Sequence, residues 1–534
     1  MNAKAARKYL FAALVCAGAV AAYRTFGWGG MEPVNSLGLD LSSPDALVLS
    51  HSMSSLPRDL LSIPLARDVL REDIVFYYEQ NEDRLGLKGA LRRIAYEHEL
   101  TWGDELIRMV LDQPAELALW RDGDGTLKHF AIAVTRTRLA RLLEESAKVA
   151  LKDTQMRLAG ELRVGSNTAP VYALDYVHGR TLLFVAHGER MVILSHPGML
   201  YGGRNDDHLD DRLDARARDV VVKLLAPDAR ANGVLREGFQ LESGIPAGHS
   251  VAIKADFLSF GYQPFFGALQ ALRFDFSRDG WQSQVLLDGA ALKQGGYDSR
   301  PLWDTLPYGA SACFSVPADW AAMGPVLKRL DADAAVDTLA AQFAGPAAAC
   351  WYGASHLYTP VFVARRAPAA AGAGAAGDRD AALAGLFNAM VGPSEGASDT
   401  GAGKRWQRTR ATPAGALTPT LATSGDAVVF SADPALVDGV LAVHQKRAAA
   451  ASDRLPAPAR TVGIINPAAL AQLMRKEAAD VLPPGSEPVL RAAFDTHMTP
   501  RLDALARYPA YRMVLGPLPA SGKAWTRLEW QAIR

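Results

Sequence analysis

The sequence carries no excess charge: 57 Lys and Arg balance 57 Asp and Glu across 534 residues, a formal net charge of +0. A chain without a basic surplus has no global attraction for a polyanion, so no nucleic acid partner is expected. After residue 30 no segment approaches eighteen uninterrupted apolar residues, which excludes a multi-span membrane protein. With 49% hydrophobic and 21% charged residues, the body has the composition of a protein that folds in water. Its length exceeds what one ordinary core supports, so two or more domains are expected.

Catalytic signatures are missing as well. No Gly-x-Ser-x-Gly elbow occurs, and no Ser-x-x-Lys centre stands with its usual companions. The near-matches fail on their chemistry. Gly372-Ala373-Gly374-Ala375-Ala376-Gly377 matches a dinucleotide fingerprint, but it sits in an Ala/Gly tract without a parallel βαβ unit to aim a helix at a pyrophosphate. Gly401-Ala402-Gly403-Lys404 lacks the first glycine of a phosphate loop, where Ser398 stands, and Arg405 replaces the magnesium-binding hydroxyl. His98-Glu99 has Trp102 where a zinc site needs its second imidazole. Asp206-Asp207-His208-Leu209-Asp210-Asp211 lacks the alternating acids and central glycine of a calcium loop, and Arg212, Arg216 and Arg218 supply ion partners instead. His187 and His196 flank one apolar run nine positions apart, which puts them on opposite faces of a strand. Neither a cofactor nor a metal is expected.

Cysteine is scarce, three in all, and one of them lies in the only long apolar run. Lys4, Arg7 and Lys8 precede an uncharged stretch from Tyr9 to Tyr23, closed by Arg24. A positive flank followed by an apolar stretch is the arrangement of an export signal. At about 1.5 Å per residue it spans roughly 22 Å of a roughly 30 Å hydrocarbon layer, so Phe26 to Trp28 would have to extend it. We read residues 1–30 as a signal-anchor in the inner membrane, single-pass with a periplasmic body. Cleavage at Ala19-Val20-Ala21, giving a periplasmic product, is the alternative. Val15 before Cys16 argues against lipid attachment. Cys313 and Cys350 lie in apolar strand-like runs and are read as small buried hydrophobes, with a disulfide left open.

Against this background one positive pattern stands out. Gly188-Glu189, an apolar run and Pro197 are matched by Gly425-Asp426, an apolar run and Pro434. Each reads as turn, strand, and a helix opened by proline. The neighbours follow in the same order. Strands are expected at Pro44 to Ser50 and Pro307 to Val316, at Pro114 to Trp120 and Pro346 to Trp351, and at His129 to Arg136 and Thr359 to Arg365. Amphipathic helices follow at Arg138 to Lys152 and Asp378 to Met390, then strands at Ser250 to Lys254 and Thr461 to Ile465, and a closing strand pair in each half. Trp120 and Trp351 recur at equivalent places, which suits core packing. The expected class is α+β: two duplicated, mainly antiparallel sheet domains, 31–296 and 305–534, with helices on one sheet face.

The halves differ by insertions. Residues 71–105 and 202–244 have no counterpart in the second half, while 366–380 and 392–404 are Ala/Gly/Ser-rich and read as mobile loops. Loops on a rigid scaffold are where binding concentrates, so the first-half insertions are the candidates for partner contact. We single out Tyr77, Tyr78, Glu79, Asn81, Arg84, Arg93 and His98.

Leu56-Pro57-Arg58-Asp59-Leu60-Leu61, Arg84-Leu85-Gly86, Leu91-Arg92-Arg93-Ile94-Ala95-Tyr96, Asp112-Gln113-Pro114-Ala115 and Ser195-His196-Pro197-Gly198-Met199-Leu200 together resemble domain-of-unknown-function family 2138. The resemblance covers most of the chain after the leader and implies a bacterial envelope location. It also implies an association with a bacterial α2-macroglobulin-like protease-trapping system, beside which members are encoded. It implies no catalytic residues. The expectation is a non-enzymatic, membrane-anchored periplasmic accessory or scaffold protein with an envelope protein as partner. The alternatives are an envelope hydrolase using Glu79, Glu82, Asp83 and Glu97, and a small-ligand sensor using a groove between the halves.

Overall fold

In the computed structural model the described residues are 35–53, 55–68, 113–123, 125–135, 156–177, 180–202, 213–227, 233–242, 244–258, 266–295, 297–322, 324, 339–368, 376–399, 403–412, 415–455, 458–481 and 488–533. The run Tyr9 to Tyr23, the expected helix Arg138 to Lys152 and insertion 71–105 lie outside them. Among the described residues no helix is long and apolar enough to cross a membrane. The chain divides into two compact units, the first comprising the described residues of 35–258 with 271–283, the second 266–270 with 284 onward.

The strands of the first unit are β1 (Ala46–Ser50), β2 (Ala115–Arg121), β3 (Leu127–Thr135), β4 (Met156–Val164), β5 (Asn167–Val177), β6 (Arg180–His187), β7 (Arg190–Leu194), β8 (His249–Lys254) and β9 (Leu269–Ser277). After β9 a turn at Arg278-Asp279 leads into β10 (Gly280–Asp288), as the Asp279-Gly280 signal predicts. All pairs are antiparallel, in the order β9-β8-β1-β2-β3-β7-β6-β5-β4. The second unit contains β11 (Ala312–Val316), β12 (Phe343–Trp351), β13 (Val361–Arg366), β14 (Ala397–Asp399) and β15 (Lys404–Gln407). A small separate hairpin, β16 (Arg410–Thr412) and β17 (Gly415–Leu417), precedes β18 (Thr420–Ser424), β19 (Ala427–Ser431), β20 (Thr461–Ile465), β21 (Ala510–Leu515) and β22 (Lys523–Ile533). Its order is β22-β21-β20-β11-β12-β13-β19-β18-β15-β14, again antiparallel. In both units the opening strand lies between the second strand and one made much later in the chain.

The matched glycines do equivalent work. His187 pairs with Arg190 across Gly188-Glu189, and Ser424 with Ala427 across Gly425-Asp426. These two-residue turns need a left-handed first position, and Gly188 and Gly425 supply φ of 57° and 55°. The strands that follow, β7 and β19, are apolar without alternation because both of their faces are covered. On one face of β7, Met191 and Ile193 pack with Ala115, Val134 and Leu182. On the other, Arg190 donates through Nε to the Leu224 carbonyl at 3.1 Å, joining the strand to α2 (Ala215–Leu225). That helix is preceded in the chain by α1 (Leu56–Ser62).

In the second unit α3 (Ala376–Val391) and α4 (Pro434–His444) cover opposite faces of the sheet. Leu383, Leu386 and Phe387 of α3 pack with Leu421, Val428 and Trp406, whereas Val437, Val440 and Leu441 of α4 pack with Ala422, Val429 and Val363. Adjacent strand residues point to opposite faces, so Val428 and Val429 belong to different cores. The expectation of helices on one face is corrected here: in this unit they flank both.

Three other readings change. Pro197 opens only a three-residue 3₁₀ turn, capped by His196, while Pro434 opens the eleven-residue α4. His196 is therefore a capping residue beyond β7, and its ring meets that of His129 at 6.1 Å. Part of the expected mobile loop 392–404 is strand β14, paired with β15. Finally, Cys313 and Cys350 are buried as expected but face each other across β11 and β12 and are joined as a disulfide.

Candidate functional site

At one end of the first sheet β1 and β8 place Ser50 beside His249. The chain then turns through His51 to Ser55 and enters α1, which a proline in its first turn favours. Asp59, in the same turn, reaches the His249 ring. Gly248 approaches so closely that a Cβ there would stand 2.6 Å from the Phe276 carbonyl, and the Gly248 carbonyl accepts from the His51 N–H at 3.3 Å. His249 is fully buried at its side chain, with the Phe276 ring at 5.0 Å and the His51 ring at 4.8 Å.

The hydrogen bonds assign the protons. Ionised Asp59 can only accept, so His249 Nε2 carries a hydrogen and the Nδ1 lone pair of the neutral imidazole accepts from the Ser50 hydroxyl at 2.8 Å, while Ser50 Oγ accepts from the Ser52 N–H at 3.1 Å. Nε2 of His249 then donates to Asp59 Oδ2 at 3.2 Å. His51 Nδ1 donates to the Gly248 carbonyl at 3.1 Å, leaving Nε2 with a lone pair 3.5 Å from Ser55 Oγ. Ser55 Oγ is also 3.5 Å from His249 Nε2. The other carboxylate oxygen of Asp59 accepts from Arg58 at 3.2 Å and Arg278 at 3.1 Å. Burial works against ionisation of Asp59, but hydrogen bonds from His249, Arg278 and Arg58 outweigh it and hold the pKa below the ordinary value. Burial keeps His249 below its ordinary pKa in spite of Asp59.

Ser50, His249 and Asp59 are the residue types of a nucleophilic relay. Here, however, Ser50 is wholly buried between β2 and β8, so no substrate reaches its oxygen. What the cluster can do is hold a proton or a cation. Beside it lies an open depression of about 390 Å³, lined by His249, Arg273, Asp275, Phe276 and Trp281.

Elsewhere in the first unit Glu116, fully buried, is paired with Arg236 Nη2, and Arg190 Nη2 stands 3.7 Å away. Arg236 falls within the 202–244 insertion, and so does α2, whose Val221 and Leu224 are buried. The described part of that insertion packs one helix face inward and leaves Arg216, Arg218 and Asp219 exposed on the other. In the second unit His356 Nδ1 lies 2.7 Å from Glu477 and 3.8 Å from Asp480, with Tyr358 stacked on its ring at 4.9 Å.

Tyr77, Tyr78, Glu79, Asn81, Arg84, Arg93 and His98, with Glu82, Asp83 and Glu97, lie outside the described residues. Trp120 is buried and donates to the Asp40 carbonyl at 2.8 Å, while Trp351 is half-buried and donates to the Leu357 carbonyl at 2.9 Å. Sequence reasoning missed His51, Asp59 and His249; the repeated short pattern Ser50-His51-Ser52 and Gly248-His249-Ser250 at strand ends was the one available signal.

Comparison with known proteins matches residues 7–531 to a family described as an uncharacterized protein conserved in bacteria, DUF2138. The chain belongs to the DUF2138 family. An Escherichia coli K12 relative, the uncharacterized protein YfaA, is 33% identical over 530 residues, covering 93% of this chain and 92% of its own. No solved structure matches this DUF2138 protein.

Proposed function

We propose that this DUF2138 protein is an exported, non-enzymatic accessory or scaffold protein of the bacterial envelope, held at the inner membrane by residues 9–23 with its body in the periplasm. The observation that carries the envelope part is the Cys313–Cys350 bond inside the second sheet. Such bonds persist in oxidising compartments and are rare in the reducing cytosol. The basic flank and apolar run ahead of Arg24 fit the same reading.

The scaffold part rests on architecture. The corresponding order of strand pairing in the two units, with left-handed glycines at matched turns, supports an internal duplication of one sheet design. The partner proposed is another envelope protein, with an α2-macroglobulin-like protein as the first candidate. Protease added to spheroplasts should degrade the chain, whereas intact cells protect it; protection in both would place it in the cytoplasm and end the envelope reading. In-cell crosslinking followed by purification from detergent should recover an envelope protein joined to the chain. Recovery of cytoplasmic proteins alone would end the scaffold reading.

A further inference from the structure

We propose that His51, Asp59 and His249 form a binding site for a zinc ion in the first unit. Their ligand atoms all lie within 4.8 Å of one another, drawn from three separate elements: the turn after β1, the helix α1 and the start of β8. Two ligands bonded to one tetrahedral zinc at about 2.0–2.1 Å stand about 3.3 Å apart. His249 Nε2 and Asp59 Oδ2 are 3.2 Å apart.

The surroundings orient each donor. His51 gives its Nδ1 hydrogen to the Gly248 carbonyl, which leaves Nε2 directed into the cluster as a neutral imidazole ligand. Arg58 and Arg278 hold one oxygen of Asp59 and leave Oδ2 toward the histidines. Ser55 Oγ, 3.5 Å from both imidazole Nε2 atoms, stands where a fourth ligand or a bound water belongs. On binding, zinc displaces the Nε2 proton of His249 to solvent. A proton from solvent is taken up at Nδ1 in its place, so the imidazole stays neutral, and the new Nδ1–H donates to Ser50 Oγ, whose own hydroxyl hydrogen turns away.

Two imidazoles with one carboxylate favour zinc over calcium or magnesium, which take oxygen ligands in larger number. The paired arginines offset the carboxylate charge, so attraction for a hard cation is weak and the imidazole donors dominate. His51 is half-buried and provides the approach from solvent, while Asp59 and His249 are buried.

The test uses the full chain in detergent, freed of metal and carrying Glu477→Gln to remove the His356 cluster. Titration with zinc should show one saturable site, and cobalt should give the visible absorption of a tetrahedral complex. His51→Asn and Asp59→Asn should each weaken binding by about 100-fold or more with an unchanged circular dichroism spectrum. X-ray absorption at the zinc edge of the Glu477→Gln chain, which needs no variant at the site, should report two imidazoles with oxygen ligands. No saturable uptake, equal affinity in His51→Asn, or a ligand set without two imidazoles would overturn the proposal.

Discussion

Removing the disulfide is the sharpest perturbation. Cys313 and Cys350 are 37 residues apart in sequence. Closing a loop of that size in the unfolded chain removes entropy worth about 3.8 kcal/mol at 25 °C. For a unit of this size each kcal/mol moves the melting midpoint by about 2–4 °C, so Cys313→Ala with Cys350→Ala should melt roughly 8–15 °C lower. Both sulfurs are buried in the core that includes Val361, Val363 and Val437, so alanine adds a small packing loss in the same direction. The assay is thermal unfolding of wild type and variant by circular dichroism, with and without reductant. Reductant should lower the wild-type midpoint toward the variant and leave the variant unmoved. Thiol titration of the unfolded protein should find two more free thiols after reduction than before. A variant within about 2 °C of wild type, or no gain in free thiols on reduction, would refute both the stabilisation and the inference of an oxidising compartment.

Glu116→Gln leaves Arg236 and Arg190 without their buried anion, and should destabilise the first unit by about 3–5 kcal/mol in urea unfolding. Replacing Glu116 and Arg236 together by Leu and Met should recover part of that loss. Gly425→Ala should cost more than Gly188→Ala in the same assay. Both incur about 1–2 kcal/mol for a left-handed residue, but only at 425 would the new Cβ stand 2.6 Å from His444 Nε2. His129 is held below its ordinary pKa of 6.5, first by burial and then by His196 and Lys128, against the pull of Asp122. Its neutral form is favoured on folding, so its contribution is present above pH 6.5 and is lost as pH falls through the lower folded value. Urea midpoints of the first unit should fall on acidification from about pH 7 to about pH 5, and less steeply in His129→Phe.

Much of the fold was legible because local signals agreed with tertiary ones. β1, β8, β11 and β20 are short apolar runs between turns, and Gly188 and Gly425 mark hairpins by a requirement that only the backbone imposes. The strands β4 and β5 escaped notice because Arg157, Glu161 and Arg163 interrupt their pattern and Gly160 sits at a register shift. Helix coverage of both faces was obscured for another reason: an uninterrupted run such as Val428-Val429-Phe430 does not say what lies on either side. The His51, Asp59 and His249 cluster was beyond reach of spacing, since Asp59 and His249 meet across 190 residues. Glu116 looks like a solvent-facing position in an otherwise apolar strand, and only the distant Arg236 makes its burial tolerable.

The placement of β1 has a consequence for how the polypeptide is made. Ser50 must wait for His249, 199 residues downstream, before β8 closes its flank. Throughout that interval a nascent chain exposes an apolar ribbon with one row of unsatisfied amides, the kind of template on which stray strands nucleate. Synthesis therefore leaves this segment as the natural client of a holding chaperone, and its protection from deuterium in pulse-labelled chains should arise only once residues near 254 have emerged.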